Sequence, residues 1–260
     1  MASMWESGTA YEAYVGRWSR HVAADFVAWL DLPPGLTWLD AGAGTGALTS
    51  AITAGAAPLR VACVDRSLGF LTAARTAAAG PARVCAGDAT ALPLRSRTFP
   101  AVVSGLTLNF VGRPEAAARE FARVVTPGGA VAAYVWDYAG GMSMLREFWA
   151  AATELDPAAA TLDEGLRFGF CRDDVLAAWW TGAGLRDVTT RRIEIATVFS
   201  DFDDYWRPFL GGQGPAPAYL ATRTGTQRTA LRELLRSRLP AGPDGSITLT
   251  AAAWAVRGRG

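Results

Sequence analysis

Between Leu36 and Tyr138 the chain alternates short apolar runs with helix-patterned stretches, and this alternation limits the possible folds more than any other feature. Leu36–Ala41, Arg60–Asp65, Arg83–Ala86, Pro100–Ser104 and Ala130–Trp136 read as strands. Helices are expected from about Gly46 to Ala54, Ser67 to Ala79 and Pro114 to Val125. The last opens on proline, whose missing N–H is not needed in a first helical turn. Strands alternating with helices imply a parallel sheet covered on both faces, and the run PAVVS at 100–104 is too apolar to be half exposed. Such sheets bind ligands outside the carboxyl ends of their strands, near the switch point of strand order.

After Asp137 the pattern loosens. Met142–Leu155 and Asp173–Thr181 look helical, Leu185–Ile195 is a strand, and GGQGPAPA (Gly211–Ala218) reads as a loop. Gln227–Leu239 is a further helix and Ile247–Val256 a last strand. Two late strands separated by an insertion suit an antiparallel edge added to the sheet. The 260 residues, half of them apolar, supply one large core, and neither a repeat nor a linker divides them. The expected organisation is a single domain over 1–260, with an N-terminal helix in 1–35, a ligand-binding core in 36–138, and inserted covers at 139–170 and 199–222.

Composition removes whole classes of chemistry. All 25 basic residues are arginine, so a GxxxxGK[ST] phosphate loop, a lysine Schiff base and the lysine of short-chain dehydrogenases are excluded. His21 is the only histidine, and Cys63, Cys85 and Cys171 stand far apart, so no metal site is expected. Three unpaired cysteines fit a reducing cytoplasm. With 25 basic against 24 acidic side chains, no global field draws the chain to nucleic acid or to an anionic membrane. The start MASMWESGTA has no secretory pattern and no segment is long enough to span a bilayer, so a cytoplasmic protein is expected.

WLDAGAGTGALT (Trp38–Thr49) places Gly42, Gly44 and Gly46 after a strand and at a helix start. Glycines let backbone turn sharply and approach a ligand, and a helix N-terminus favours negative charge. With Ala47 the run also satisfies GxGxxA, the dinucleotide fingerprint, and Asp65 lies at the distance expected of a ribose-binding acid. Two features separate the readings. Asp40 precedes the loop where a dinucleotide fold normally has an apolar residue; a carboxylate there repels pyrophosphate but serves an ammonium group. Gly87-Asp88-Ala89 closes the third strand, with Ala91-Leu92-Pro93 behind it, and offers an acceptor for an adenine amino group. Three acids thus close three consecutive strands, and the site asks for adenosine plus an ammonium group.

Here the chain resembles the class I S-adenosylmethionine-dependent methyltransferases, in the broad group of ubiquinone-biosynthesis-like and small-molecule enzymes. The matching pieces are LDAGAGTG (Leu39–Gly46), VDRS (Val64–Ser67), GDATALP (Gly87–Pro93), VVSGLTLNFV (Val102–Val111) and RVVTPGG (Arg123–Gly129). The resemblance implies a Rossmann-like α/β fold: a seven-stranded, mostly parallel sheet with an antiparallel last strand, helices on both faces and inserted covers. It also implies S-adenosyl-L-methionine as cofactor. Gly42, Gly44 and Gly46 would wrap its methionyl part, Asp40 would sit near its ammonium, and Asp65 would take the ribose hydroxyls. Arg66 would lie beside the adenine, Asp88 and Ala89 at the adenine edge, and Leu106 near the sulfonium. Pro100 and Arg66 depart from the family pattern, which often has aspartate at the first position and proline or an apolar residue at the second. Tyr11–Leu30 resembles the N-terminal helix of one subgroup, in which Tyr14 and Arg17 could close on the cofactor carboxylate; a Tyr/Trp-rich helix packing on the sheet is the alternative.

The implied reaction is methyl transfer by in-line displacement to a small-molecule acceptor with an O, N or C nucleophile. The cofactor carries the activated group and the protein aligns the partners. No catalytic base is identifiable, and His21 is a helix-face residue. Asp137, Tyr138 and Trp206 are candidate acceptor contacts; they share the covers with Trp149, Phe168, Asp203, Tyr205 and Phe209, which could equally be the covers' own core. Ser200 and Asp203 fit a helix-capping pattern. Arg228, Arg232 and Arg236 form a basic stripe, read as a solvated face or as a dock for an acidic partner. A nicotinamide-dependent oxidoreductase and a cofactor-binding protein without activity are the rival functions.

Overall fold

The computed structural model describes residues 16–77, 82–211 and 214–260. Its elements in chain order are α1 (Arg17–Leu30), β1 (Thr37–Ala41), α2 (Ala47–Gly55), β2 (Arg60–Asp65), α3 (Leu68–Ala77), β3 (Ala82–Ala86), β4 (Phe99–Gly105), α4 (Pro114–Val124) and β5 (Val125–Trp136). Then follow α5 (Ser143–Leu155), α6 (Glu164–Arg167), α7 (Asp173–Gly182), β6 (Arg186–Phe199), α8 (Phe202–Trp206), α9 (Pro215–Ala221), α10 (Gly225–Arg238) and β7 (Ile247–Arg259).

The strands form one sheet of order β3-β2-β1-β4-β5-β7-β6. β1 lies between β2 and β4 and runs parallel to both, with Leu39 opposite Ala62 on one side and Val102 on the other. Order reverses at β1, which makes its carboxyl end the switch point. Hydrogen bonds between Gly128 and Gly260 and between Asp137 and Ala252 pair rising numbers with falling ones, so β7 is antiparallel to β5. The late strands do not simply extend the sheet in chain order: β7 inserts between β5 and β6, leaving β6 at the edge. The sequence pattern explains this. β5 is buried along its last eight residues, whereas β6 alternates exposed and buried as an edge strand does. Pro100 falls where the register between β4 and β5 shifts, a position that needs no ladder N–H.

Two compact units divide the chain. One comprises, of the described residues, 19–77, 82–135, 171–193 and 253–260. Its core holds Trp38, Leu39, Val64, Val102, Val131, Phe121 and Trp180, all essentially inaccessible. The Trp180 indole donates to the Val131 carbonyl at 3.0 Å and meets Phe121 edge-on. Arg123 donates to the carbonyls of Leu92 and Leu94, and Glu120 accepts from the Leu92 amide, so α4 fixes the chain that follows β3.

The other unit comprises, of the described residues, 16–18, 136–170, 194–211 and 214–252, and it is held by rings. Phe148 stacks on Phe209 at 4.5 Å, Trp149 meets Tyr219 at 5.7 Å, and Tyr205, fully buried, donates to the Met144 carbonyl. Trp149 also donates to the buried carboxylate of Glu164. Two expectations need correction here. The second half of the stretch read as a loop is helix: α9 begins at Pro215, because prolines at the first and third positions of a helix remove only N–H groups that have no partner there. The cap of α8 is Asp201, which accepts from the Asp204 amide, and not the Ser200–Asp203 pair. Asp203 instead receives Arg232 at 2.8 Å and Arg236 at 3.8 Å, and both guanidinium groups lie over the Phe202 ring. Arg228 donates to the carbonyls of Arg223 and Ala221. Arg228 and Arg236 remain exposed and Arg232 partly so, as a solvated face would be.

Replacing Trp180 with alanine removes a large buried ring and its hydrogen bond together. We expect a loss of about 3–5 kcal/mol in urea unfolding, at the upper end for core truncations.

Candidate functional site

Every residue of the glycine loop and of the strand ends beside it belongs to the first unit. β1 ends at Ala41 and the chain turns at Gly42, whose φ is +81°. The amides of Gly42 and Ala43 both donate to the Val64 carbonyl, at 2.7 and 3.1 Å. Gly44 and Gly46 also have positive φ, and α2 starts immediately after Gly46 with no side chain capping it. A Cβ at Gly42 would lie 2.3 Å from the Thr107 methyl, so both conformation and space demand glycine.

Across the loop, β4 runs into Leu106, which is buried and has a φ of +53°, rare for a non-glycine residue. Its amide is held by the Tyr134 carbonyl at 2.8 Å. Thr107 donates to the Gly42 carbonyl at 2.8 Å, and the Gly105 carbonyl lies 3.0 Å from the same hydroxyl. A strained backbone kept in place by such bonds is typical of functional sites.

The three acids sit in three different environments. Asp40, one residue before the end of β1, has no exposure. Thr49 of α2 donates to one of its oxygens at 2.7 Å, while Oδ1 has no hydrogen-bond partner. Burial raises its pKa to about 7, opposed by the Thr49 hydrogen bond and assisted by the charge of Asp65. The same Thr49 hydroxyl lies 3.2 Å from the Cys63 sulfur, and burial beside Asp40 pushes that thiol up to about 12. Asp65 closes β2 and accepts from the amides of Gly44 at 2.9 Å and Ser67 at 2.8 Å. Asp88 lies two residues beyond β3; the amide and hydroxyl of Thr90 donate to it and hold its carboxyl below the usual range. Arg66 is largely exposed, with Nε 3.8 Å from Asp88, and Ala89 is buried. A Cβ at Gly87 would strike Pro93 and Val64, so the chain after β3 must pass close against β2.

The fold thus gathers Asp40, Gly42, Gly44, Gly46, Asp65, Arg66, Asp88, Ala89 and Leu106 at the carboxyl ends of four adjacent parallel strands. Tyr14 lies outside the described residues. Arg17, Asp137, Tyr138 and Trp206 belong to the other unit. There Arg17 donates to Asp204 at 2.8 Å and lies over the rings of Trp18 and Phe199, while its Nε and Nη2 are buried without a hydrogen-bond partner. Asp137 follows β5 and accepts from the Gly140 amide at 3.0 Å; Tyr138 packs on Phe168 at 4.6 Å; Trp206 is buried against Phe202. Trp149, Tyr205 and Phe209 form that unit's core. Sequence reasoning passed over Thr49, Cys63 and Thr107. Of these only Thr49 had a signal, since its spacing from Asp40 follows from a strand, a tight turn and one helical turn. Among the described residues no cluster of histidine, cysteine or acid could hold a metal ion, and no helix is long and apolar enough to cross a membrane. His21 is exposed on α1.

Gly42→Ala should abolish ligand binding at the loop while the rest of the unit folds, as read by calorimetric titration beside circular dichroism. Asp40 gives a pH signature. The unfolded chain loses this proton near 3.8, the folded chain only near 7, so the folded state binds more protons between those values. Its stability therefore falls as pH rises from 3.8 to about 7 and levels off above. Asp40→Asn should remove that fall, on the order of 4 kcal/mol in urea titrations at pH 8 against pH 4.

Residues 39–133 match a family described as a methyltransferase domain. A demethylmenaquinone methyltransferase of Paenarthrobacter aurescens is 32% identical over 188 residues, which cover 68% of this chain and 71% of that protein. A second, from Renibacterium salmoninarum, is 40% identical over 96 residues, and there the chain spans only 39% of the relative's length. Among solved structures, the YcgJ protein of Bacillus subtilis superposes with a TM-score of 0.56 at 15% identity, over 92% of this chain and 98% of that one. Phosphoethanolamine N-methyltransferase 2 of Haemonchus contortus, solved with phosphomonomethylethanolamine and S-adenosylhomocysteine, gives 0.56 at 14% identity over 96% and 56%. At those identities the two structures speak for the fold alone. The curated relative carries the assignment further: the chain belongs to the class I S-adenosylmethionine-dependent methyltransferases of the ubiquinone- and menaquinone-like group, enzymes whose cofactor is S-adenosyl-L-methionine.

Proposed function

We propose that this chain transfers the methyl group of S-adenosylmethionine, by in-line displacement, to a small apolar acceptor of the ring type that its menaquinone-pathway relatives are named for. The observation that carries the reading is the buried, half-satisfied carboxylate of Asp40 beneath an open glycine loop. A phosphate would be repelled there, whereas an ammonium group would relieve the cost of burying the charge.

The residues present fit the cofactor. A Cβ at Gly44 would meet nothing within 4 Å, so the loop leaves room beside it. Gly42, Gly44 and Gly46 would wrap the methionyl part, and Asp40 would answer its ammonium group. Asp65 would take the ribose hydroxyls with oxygens that already accept from Gly44 and Ser67. Asp88, held ionised by Thr90, and Ala89 would meet the adenine edge, with Arg66 alongside. Leu106 would present its backbone toward the sulfonium. Arg17 keeps two buried donors suited to a carboxylate. When bound, the cofactor supplies a methyl group already activated on sulfur. The chain's own part is to bind, orient and exclude water, a task that needs no histidine. Asp137, Tyr138 and Trp206 are proposed to choose the acceptor.

Thermal melts with S-adenosylmethionine, S-adenosylhomocysteine and NADH test this. A ligand at about 100 times its Kd adds roughly 2.7 kcal/mol, or several degrees. We expect shifts with both sulfur compounds, lost in Asp65→Ala, and none with NADH. Turnover of labelled cofactor on a panel of hydroquinones, phenols, amines and carboxylic acids then assigns the acceptor. Tight cofactor binding with silence across the hydroquinones and phenols would sink the acceptor class.

A further inference from the structure

We propose that Thr107 is a positioning residue, the latch that fixes the peptide between Gly42 and Ala43 and so gives the glycine loop its cofactor-binding shape; this rests on the cofactor reading above. That peptide is bonded at both poles. Its N–H, on Ala43, donates to the Val64 carbonyl of β2 at 3.1 Å, and its carbonyl, on Gly42, accepts from Thr107 at 2.8 Å. The loop is therefore held on one side by β2 and on the other by the turn after β4.

Position 107 must supply both a hydroxyl and the right place for it. The place comes from Leu106, whose positive φ swings the chain back over the loop and whose amide is tied to Tyr134. The turn allows no side chain at Gly105, where a Cβ would lie 2.6 Å from the Tyr134 hydroxyl. With its backbone so fixed, Thr107 aims its hydroxyl between the carbonyls of Gly42 and Gly105 and packs its methyl where Gly42 lacks a Cβ. Gly42 is free in φ, so without the hydroxyl only the longer Val64 bond opposes rotation of this peptide. A flip would reverse the loop's polarity beside Asp40.

The test uses the full chain and S-adenosylhomocysteine in calorimetric titration. Thr107→Val keeps the side-chain shape and removes the hydroxyl; it should weaken binding about tenfold, the effect of one hydrogen bond. Thr107→Ser keeps the hydroxyl and should bind within about twofold of the parent. Thr107→Ala replaces the valine variant if that one does not fold. Site-resolved hydrogen exchange without ligand gives a second readout: the Ala43 amide should exchange at least about tenfold faster in Thr107→Val and not in Thr107→Ser. Equal affinity in parent and valine variant, or a serine variant as weak as valine, overturns the latch. If the parent itself fails to bind, the cofactor reading falls, and Ala43 exchange still decides whether Thr107 holds the loop; unchanged exchange in all variants overturns it.

Discussion

Three successive amides, those of Gly42, Ala43 and Gly44, are all donated to the last two residues of β2: two to the Val64 carbonyl and one to the Asp65 carboxylate. Everything else at the site depends on this hanging of one strand's loop from its neighbour's end. It is possible only because β1 and β2 are parallel and in a register that sets Ala41 opposite Val64, so the two strands finish together. A shift of one residue would carry the loop away from its acceptors.

The second constraint is the charge under the loop. Asp40 is fully buried, with Thr49 to answer one of its oxygens and a thiol nearby that burial keeps protonated. Burial of this kind is a standing cost to the fold, and proteins retain such costs where function uses them.

How much of this was legible in the chain depends on the range of the interactions involved. The strands around Asp40, Asp65 and Asp88 were readable because apolar runs, glycines and acids fall at fixed local spacings. The placement of β7 was not, since nothing local in Ile247–Arg259 says that it pairs with β5 before β6. α9 was misread because Gly and Pro dominate GGQGPAPA, yet prolines within a first turn are compatible with helix. Thr107 was passed over for a third reason. Its role comes from a contact 65 residues away in sequence, created by a strained turn that leaves no trace in composition.

The two units solve the problem of rigidity with different chemistry. In the unit that carries the loop, order comes from backbone amides and short hydroxyl bonds: Ser104 to the Ala41 carbonyl, Thr107 to Gly42, Thr49 to Asp40. In the other it comes from stacked rings and arginine. Arg17 over Trp18 and Phe199, Arg223 over Tyr219, and Arg232 and Arg236 over Phe202 each join a planar cation to a ring and an acid. A guanidinium can stack and hydrogen-bond at once, which an ammonium cannot. The absence of lysine first excluded reactions; in the folded chain the arginines that stand in its place become part of how an aromatic unit is closed.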